Sequence, residues 1–296
     1  MTLAKDPVAA RRLAVNAAPL PEHTLDEAAD QLAVFLNRYP RLFVLTGAGL
    51  STDSGIPDYR DSAGAWKRRP PVQHQDFISD PYVRQRYWAR SLVGWPLLRD
   101  AQPNNAHRYL AELEQRNYIA QVVTQNVDRL HQRAGSQQVI DLHGRADEVL
   151  CMSCGARETR SQVHERNWQL NPEFQHFTAS VAPDGDADLE LDFSDFRPAN
   201  CLRCAGILKP DVVFFGDNVP AARRAAAEAA LKESDALLVV GSSLMVYSGF
   251  RFCRQAAEWG MPMATLNIGH TRADHLVDLK LNARITETLA LTLARL

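Results

Sequence analysis

Several features that would settle the class of a protein at once are missing from this sequence. No uninterrupted apolar run approaches the roughly 18 residues that a membrane span needs, so no transmembrane helix is expected. The formal net charge is only −2. That argues against a broad basic surface for DNA, RNA or anionic lipid, and Lys67-Arg68-Arg69 is a local patch at most. Internal repeats and long low-complexity tracts are absent. The opening stretch MTLAKDPVAARRLAVNAAPL has no compact apolar centre, so a secretory signal is not expected. Its Arg11 and Arg12, with Asp6 as the one acid, fit a weak mitochondrial transit peptide or a short bacterial extension equally well. Cysteine is scarce, five in 296 residues. These features together lead us to expect a cytoplasmic protein, with the mitochondrial matrix as the alternative, and a reducing compartment in either case.

What is present is ordinary for a globular chain: 46% hydrophobic and 23% charged residues, enough for a sizeable core. Four short aliphatic runs stand out, at residues 41–46, 118–123, 236–240 and 263–266. Each ends in small or polar residues: Gly47-Ala48-Gly49, Thr124-Gln125-Asn126-Val127-Asp128, Gly241-Ser242-Ser243 and Asn267-Ile268-Gly269. Stretches with helical spacing (25–39, 220–234, 250–259, 285–296) lie among them. Strands alternating with helices predict an α/β fold, a Rossmann-like doubly wound parallel sheet. Ligands bind outside the carboxyl ends of such strands, so the four polar ends are expected to line one crevice.

Two segments interrupt the alternation. Residues 61–105, with Trp66, Trp88 and Trp95, read as a helical or cofactor-loop excursion. Residues 151–204 read as a smaller inserted module, leaving 25–150 and 205–296 as the main domain. The module is bounded by Cys151-x-x-Cys154 and Cys201-x-x-Cys204, four thiolates that suffice for a closed tetrahedral zinc site. A closed site leaves no position for water, so the metal would be structural. A redox pair or two disulfides is the alternative. Cys253 stands alone in a helical stretch and reads as a small buried hydrophobe.

Taken alone, Gly47-x-Gly49 is as consistent with a plain turn as with a phosphate cradle, and the spacing G-x-G-x-x-G fails because position 52 is Thr. His143, in Asp141-Leu142-His143-Gly144, is one histidine of nine. The longer pattern changes both readings. Residues 47–60 (GAGLSTDSGIPDYR), Thr124 to Asp128, His143-Gly144, the two cysteine pairs, Lys209 to Gly216, Gly241-Ser242-Ser243 and Asn267-Ile268-Gly269 occur in the order of the sirtuin signature. Over roughly residues 40–285 the chain resembles the sirtuins, NAD-dependent protein-lysine deacylases. Asp58-Tyr59-Arg60, residues 84–90 and Val93-Gly94-Trp95-Pro96 resemble the class II members most.

The resemblance implies NAD as co-substrate, one structural zinc and acyl-lysine proteins as partners, with neither nucleic acid nor membrane. The acyl group passes to the ADP-ribose part of NAD, releasing nicotinamide and O-acyl-ADP-ribose. By position, His143 is the general base, and Asn126 and Asp128 serve the nicotinamide pocket. Gly47, Ala48, Gly49, Ser51, Ile56, Pro57, Asp58, Tyr59, Arg60, Gln125, Val127, Gly241, Ser242, Ser243, Asn267, Ile268, Gly269 and Ile285 hold NAD. Val213, Phe214, Phe215 and Gly216 form a strand beside the substrate peptide. The alternatives are mono-ADP-ribosyl transfer, a lipoamidase-type activity, and a non-enzymatic NAD sensor. The intact His143, Asn126 and Asp128 speak against a sensor, and the acidic residues from Asp184 to Asp192 speak against a nucleic-acid module.

Overall fold

The computed structural model describes residues 20, 21, 23–59, 61, 67, 71–174 and 191–296. Arg11, Arg12, Arg60, Trp66, Arg68, Arg69 and the acidic stretch from Asp184 to Glu190 lie outside the described residues.

Helix α1 (Leu25–Arg38) begins at a reciprocal cap: Thr24 and Glu27 exchange side-chain-to-backbone hydrogen bonds. Its apolar stripe, Ala28, Ala29, Leu32, Ala33, Phe35 and Leu36, is buried. The chain then enters β1 (Leu42–Thr46), whose five side chains are all buried. Next come α2 (His74–Ser79), α3 (Pro81–Asp100), α4 (Asn105–Gln115), β2 (Ile119–Thr124), α5 (Leu130–Arg133) and β3 (Val139–Asp141). A second group follows: β4 (Gly144–Cys151), β5 (Arg157–Thr159), α6 (Arg160–Leu170) and β6 (Leu208–Val212). The chain ends with α7 (Ala221–Lys232), β7 (Ala236–Val240), α8 (Tyr247–Glu258), β8 (Met263–Leu266), β9 (Leu279–Leu281) and α9 (Ile285–Leu293).

The main sheet has the order β3-β2-β1-β7-β8-β9, and all its pairs are parallel. The order reverses between β1 and β7, so a crevice opens at the carboxyl ends of these two strands. Alternation along the strands explains the two helical layers. Leu42, Val44, Leu238 and Val240 pack with α1, α4 and α9 through Leu32, Leu36, Leu110, Leu289 and Leu293. Phe43, Leu45, Leu237 and Val239 face Ala227 and Leu231 of α7 and Phe252, Cys253 and Ala256 of α8. Cys253 is fully buried, as its sequence context indicated, and burial pushes its thiol up to about 12.

The second sheet is antiparallel, in the order β5-β4-β6. It reaches beyond both ends of 151–204, because β4 starts at Gly144 and β6 ends at Val212. Its core is shared with the helical excursion: Val149, Val163, Phe193, Phe196 and Phe214 pack with Phe77, Tyr87 and Trp88 of α2 and α3. Helices α2 and α3 of the first interruption thus share one largely aromatic core with the described part of the second. Among the described residues no helix is long and apolar enough to cross a membrane.

Candidate active site

The crevice forms where β1 and β7 end. The Gly49 N–H donates to the Gly241 carbonyl at 2.9 Å. A side chain on Gly49 would meet that oxygen at 2.9 Å, and one on Gly241, whose φ is +64°, would meet the Leu50 nitrogen at 2.5 Å. Only glycine lets these backbones approach so closely and adopt the left-handed conformation at 241. The bare peptide edge this leaves can contact a pyrophosphate, as in the glycine-rich turns of dinucleotide folds. Ala48–Leu50 and Thr52–Ser54 are short 3₁₀ turns that carry the chain across the crevice.

Polar side chains converge behind this turn. Asn126 donates from Nδ2 to the Gly47 carbonyl and to Ser51 Oγ, both at 3.0 Å. Ser51 donates to Asp128 Oδ2 at 2.7 Å, and the Leu130 N–H donates to Oδ1 at 2.9 Å. Burial raises the Asp128 pKa, opposed by those two hydrogen bonds. Gln125 donates to Ser242 Oγ at 2.7 Å. The residues at the ends of β1, β2 and β7 therefore form one hydrogen-bonded web.

His143 sits between β3 and β4, beside this web. Its Nδ1 is 3.0 Å from the Gln125 carbonyl, which can only accept, so Nδ1 carries the proton. The Nε2 lone pair is left to accept from Ser248 Oγ at 2.7 Å. Burial pushes the His143 pKa down to about 4, with the nearby Arg223 charge adding to it and the Gln125 hydrogen bond opposing it. At neutral pH the ring is therefore an unprotonated base with its tautomer set by the backbone.

Ser248 was not found from the sequence. It lies in the first turn of α8, 105 residues from His143, and no motif marks it. Thr46 and His131 were missed in the same way: their side chains meet at 2.9 Å under the start of the glycine turn.

The remaining expected site residues are distributed around the crevice. Ile56 is buried, and Asp58 forms an ion pair with Lys67. The Tyr59 ring lies 6.2 Å from that of Phe215, linking the cofactor loop to the 213–216 segment. Asn267 is buried at the end of β8, Gly269 N–H donates to Asn282, and Ile268 is largely exposed. A methyl of Ile285 lies 3.1 Å from where a Gly241 side chain would begin. Residues 213–216 lie past the end of β6. Val213 N–H donates to the His143 carbonyl, and Phe215 makes an isolated parallel bridge with Gln73. The expected strand is thus a short segment that joins no ladder and turns at Gly216 (φ +81°), because its hydrogen bonds run to two different neighbours.

The four cysteines gather at the far end of β4. Their sulfurs all lie within 4.8 Å of one another, with Cys151–Cys204 at 3.5 Å and Cys154–Cys201 at 3.7 Å. Four thiolates about 2.3 Å from a zinc ion would stand about 3.8 Å apart at tetrahedral angles, so the set fits zinc. Both loops have the same fold. Cys151 N–H donates to the Ala156 carbonyl and Gly155 N–H to the Cys151 carbonyl. Likewise, Cys201 N–H donates to Gly206 and Ala205 N–H to Cys201. The length of β4 holds this cluster on the order of 20 Å from His143, which assigns the metal a structural role.

A model of the Sir2 family matches residues 47–248. The chain is 56% identical over 267 residues to NAD-dependent protein deacetylase 2 of Bradyrhizobium diazoefficiens, covering 90% of this chain and 98% of that one. It is 48% identical over 276 residues to NAD-dependent protein lipoamidase sirtuin-4, mitochondrial, of Bos taurus, covering 92% and 88%. Among solved structures it is similar to Sir2 bound to an acetylated peptide (TM-score 0.71, 30% identity, 90% of this chain and 97% of that chain). A Sir2 complex with a peptide and NAD+ gives a TM-score of 0.71 at 31% identity, with the same coverage.

Proposed function

The chain belongs to the Sir2 family, and from that premise we propose how its crevice carries out NAD-dependent removal of an acyl group from a protein lysine. The chain is an NAD-dependent protein deacylase. When bound, NAD supplies the ADP-ribosyl acceptor that leaves carrying the acyl group, with nicotinamide as the other product. The observation that carries the assignment of the base is the tautomer of His143. With Nδ1–H held on the Gln125 carbonyl, the Nε2 lone pair is available to take a proton from a hydroxyl. Ser248 occupies that lone pair until a substrate hydroxyl replaces it.

Asn126 and Asp128, tied through Ser51, present an amide and a carboxylate to the nicotinamide and ribose end. The Gly47–Ser51 turn, with Ala48 and Gly49, and Gly241-Ser242-Ser243 hold the phosphates and adjoining ribose. Asn267, Ile268, Gly269 and Ile285 hold the adenosine end, while Ile56, Pro57, Asp58, Tyr59, Gln125 and Val127 wall the pocket. Substrate proteins bring an acyl-lysine peptide to β6, an edge strand of the small sheet, and to Val213–Gly216 beyond it. We place the functional boundary of the NAD-binding domain at the joints on either side of the small sheet, and the protein in the cytoplasm, where four thiolates stay reduced for zinc.

The test is turnover of acyl-lysine peptides with NAD, followed by mass spectrometry, with His143→Ala beside the unaltered protein. Loss of about 10²–10⁴-fold is expected in the variant, with zinc content and Tm unchanged. ADP-ribosylated protein without any O-acyl-ADP-ribose would instead establish the transferase reading. Lipoyl-lysine belongs in the peptide set because the Bos taurus relative is a lipoamidase.

A further inference from the structure

Ser248 takes no chemical part in the deacylation, yet its hydroxyl is placed for one. Its Oγ lies 2.7 Å from His143 Nε2. With the Nδ1 proton held on the Gln125 carbonyl at 3.0 Å, Nε2 accepts and the serine donates. An activated serine nucleophile has this geometry: a hydroxyl on a neutral imidazole whose far nitrogen is fixed by a third group. The third group here is a backbone carbonyl in place of a carboxylate. It sets the same tautomer but brings no full charge to stabilise an imidazolium.

The pair is held in place from both sides. Gln125 supplies the carbonyl that orients His143, and its side chain packs on Gly249, the residue after Ser248. That side chain is tied to Ser242 Oγ at 2.7 Å and to the Thr46 carbonyl at 3.3 Å. A Cβ at position 249 would meet Gln125 Oε1 at 2.6 Å, so glycine lets α8 approach. Ser248 follows β7 through a turn and stands in the first turn of α8, the strand–turn–helix setting of hydrolase serines. The N–H groups that open a helix have no intrahelical acceptor, and the Val246 cap makes no side-chain hydrogen bond. An oxyanion forming beside Ser248 would meet the positive end of this helix. His143 and Ser248 are both partly exposed and Tyr247 is 47% exposed, so the pair is open to a ligand.

We propose that Ser248 and His143 are the nucleophile and base of a second activity, the NAD-independent hydrolysis of the O-acyl-ADP-ribose ester that deacylation releases. Ser248 Oγ attacks the ester carbonyl carbon and gives its proton to Nε2. The bond from that carbon to the ribose oxygen breaks, and the ribose oxygen takes the proton, leaving acyl-Ser248. Water then attacks the acyl carbon and gives a proton to Nε2. The bond to Oγ breaks, and Oγ recovers its proton. One ester and one water yield ADP-ribose and a carboxylic acid. The inference rests on the deacylase reading for the source of the ester, and supplying the ester ready-made separates the two.

Synthetic O-acetyl-ADP-ribose is incubated with the zinc-loaded full chain, without NAD or peptide, and ADP-ribose release is followed by chromatography. Release should exceed the protein-free rate by about 10²-fold or more. It should fall to the protein-free rate in Ser248→Ala and in His143→Ala, at unchanged Tm and zinc content. Two covalent readouts accompany turnover. Acid quenching should trap an acetyl group on the peptide that carries Ser248. A fluorophosphonate should label Ser248 in the unaltered protein, and O-acetyl-ADP-ribose should protect it.

No release above the protein-free rate, in a preparation that turns over acyl-lysine peptides with NAD, overturns the proposal. Release that survives in Ser248→Ala and is lost in His143→Ala assigns the attack to a water activated by the histidine and overturns the role of the serine. So does an acetyl or phosphonyl label confined to other residues. Hydrolysis of O-acetyl-ADP-ribose without turnover of any acyl peptide supports the Ser248–His143 pair and overturns the deacylase reading instead.

Discussion

Val44 and Val149 both sit fully buried in strands, but the sheets around them are held by different means. Around Val44, five neighbouring strands and helices on both faces supply a continuous aliphatic core. Around Val149 there are three strands, one of only three residues, and the core is largely aromatic and borrowed from α2 and α3. The small sheet is finished by four cysteine sulfurs at one end and joined to His143 at the other. A large sheet can be stabilised by burial of its own surface, whereas a small one needs a staple. The difference also divides labour: close backbone approach shapes the crevice in the large sheet, and β4 joins the small sheet to His143.

Removing the metal should break this comparison most severely. Chelation, or Cys204→Ser, is expected to melt the small sheet and abolish turnover, since the metal's binding energy is folding energy for such a module. The far-ultraviolet dichroism of the large sheet and its helices should persist. A single cooperative loss of all secondary structure would show that the two regions are one folding unit.

Gly241→Ala attacks the other region. A left-handed alanine costs about 1–2 kcal/mol, and its Cβ would also press on the Leu50 nitrogen. We expect a lower Tm and a weaker NAD affinity by titration calorimetry, with zinc content unchanged.

Acid should sharpen the contrast as well. His107 and His131 are buried in the large-sheet region with their rings 5.1 Å apart. Burial lowers both, His107 to about 4 and His131 well below its ordinary value. The unfolded chain binds these protons first. Stability from the two neutral rings is therefore fully present above about pH 6.5 and falls as the pH drops from there toward 4. The slope approaches about 1.4 kcal/mol per pH unit for each ring. Urea midpoints between pH 7 and 5 measure this, and His107→Phe should flatten the curve.

The smallest effect is a gain. Ala205 holds φ +58° in the second cysteine loop, where the matching position of the first loop is Gly155 at +70°. Ala205→Gly should stabilise the small module by up to about 1 kcal/mol, seen as tighter zinc retention against a chelator.

The same division runs through what could be read before the fold was known. Four of the six strands of the large sheet were visible as aliphatic runs, and the polar ends of β1, β2 and β7 meet in one hydrogen-bonded web. Strands β3 and β9 were not, because three residues carry no period. The cysteine pairs were legible because both knuckles are local turns. The union of α2 and α3 with the zinc module was not legible, since Phe77, Tyr87 and Trp88 meet Phe193, Phe196 and Phe214 only across the folded chain.

By itself, then, the sequence determined whatever depends on neighbours a few residues apart: buried strands, glycine turns, helix caps and the two cysteine loops. Tertiary structure alone decided the tautomer of His143, through a carbonyl 18 residues away and a serine 105 residues away. It alone set Arg160 against Ser91, 69 residues distant. Hydrogen bonds and desolvation act over a few ångströms of space, and only the packed chain determines which distant residues come that close.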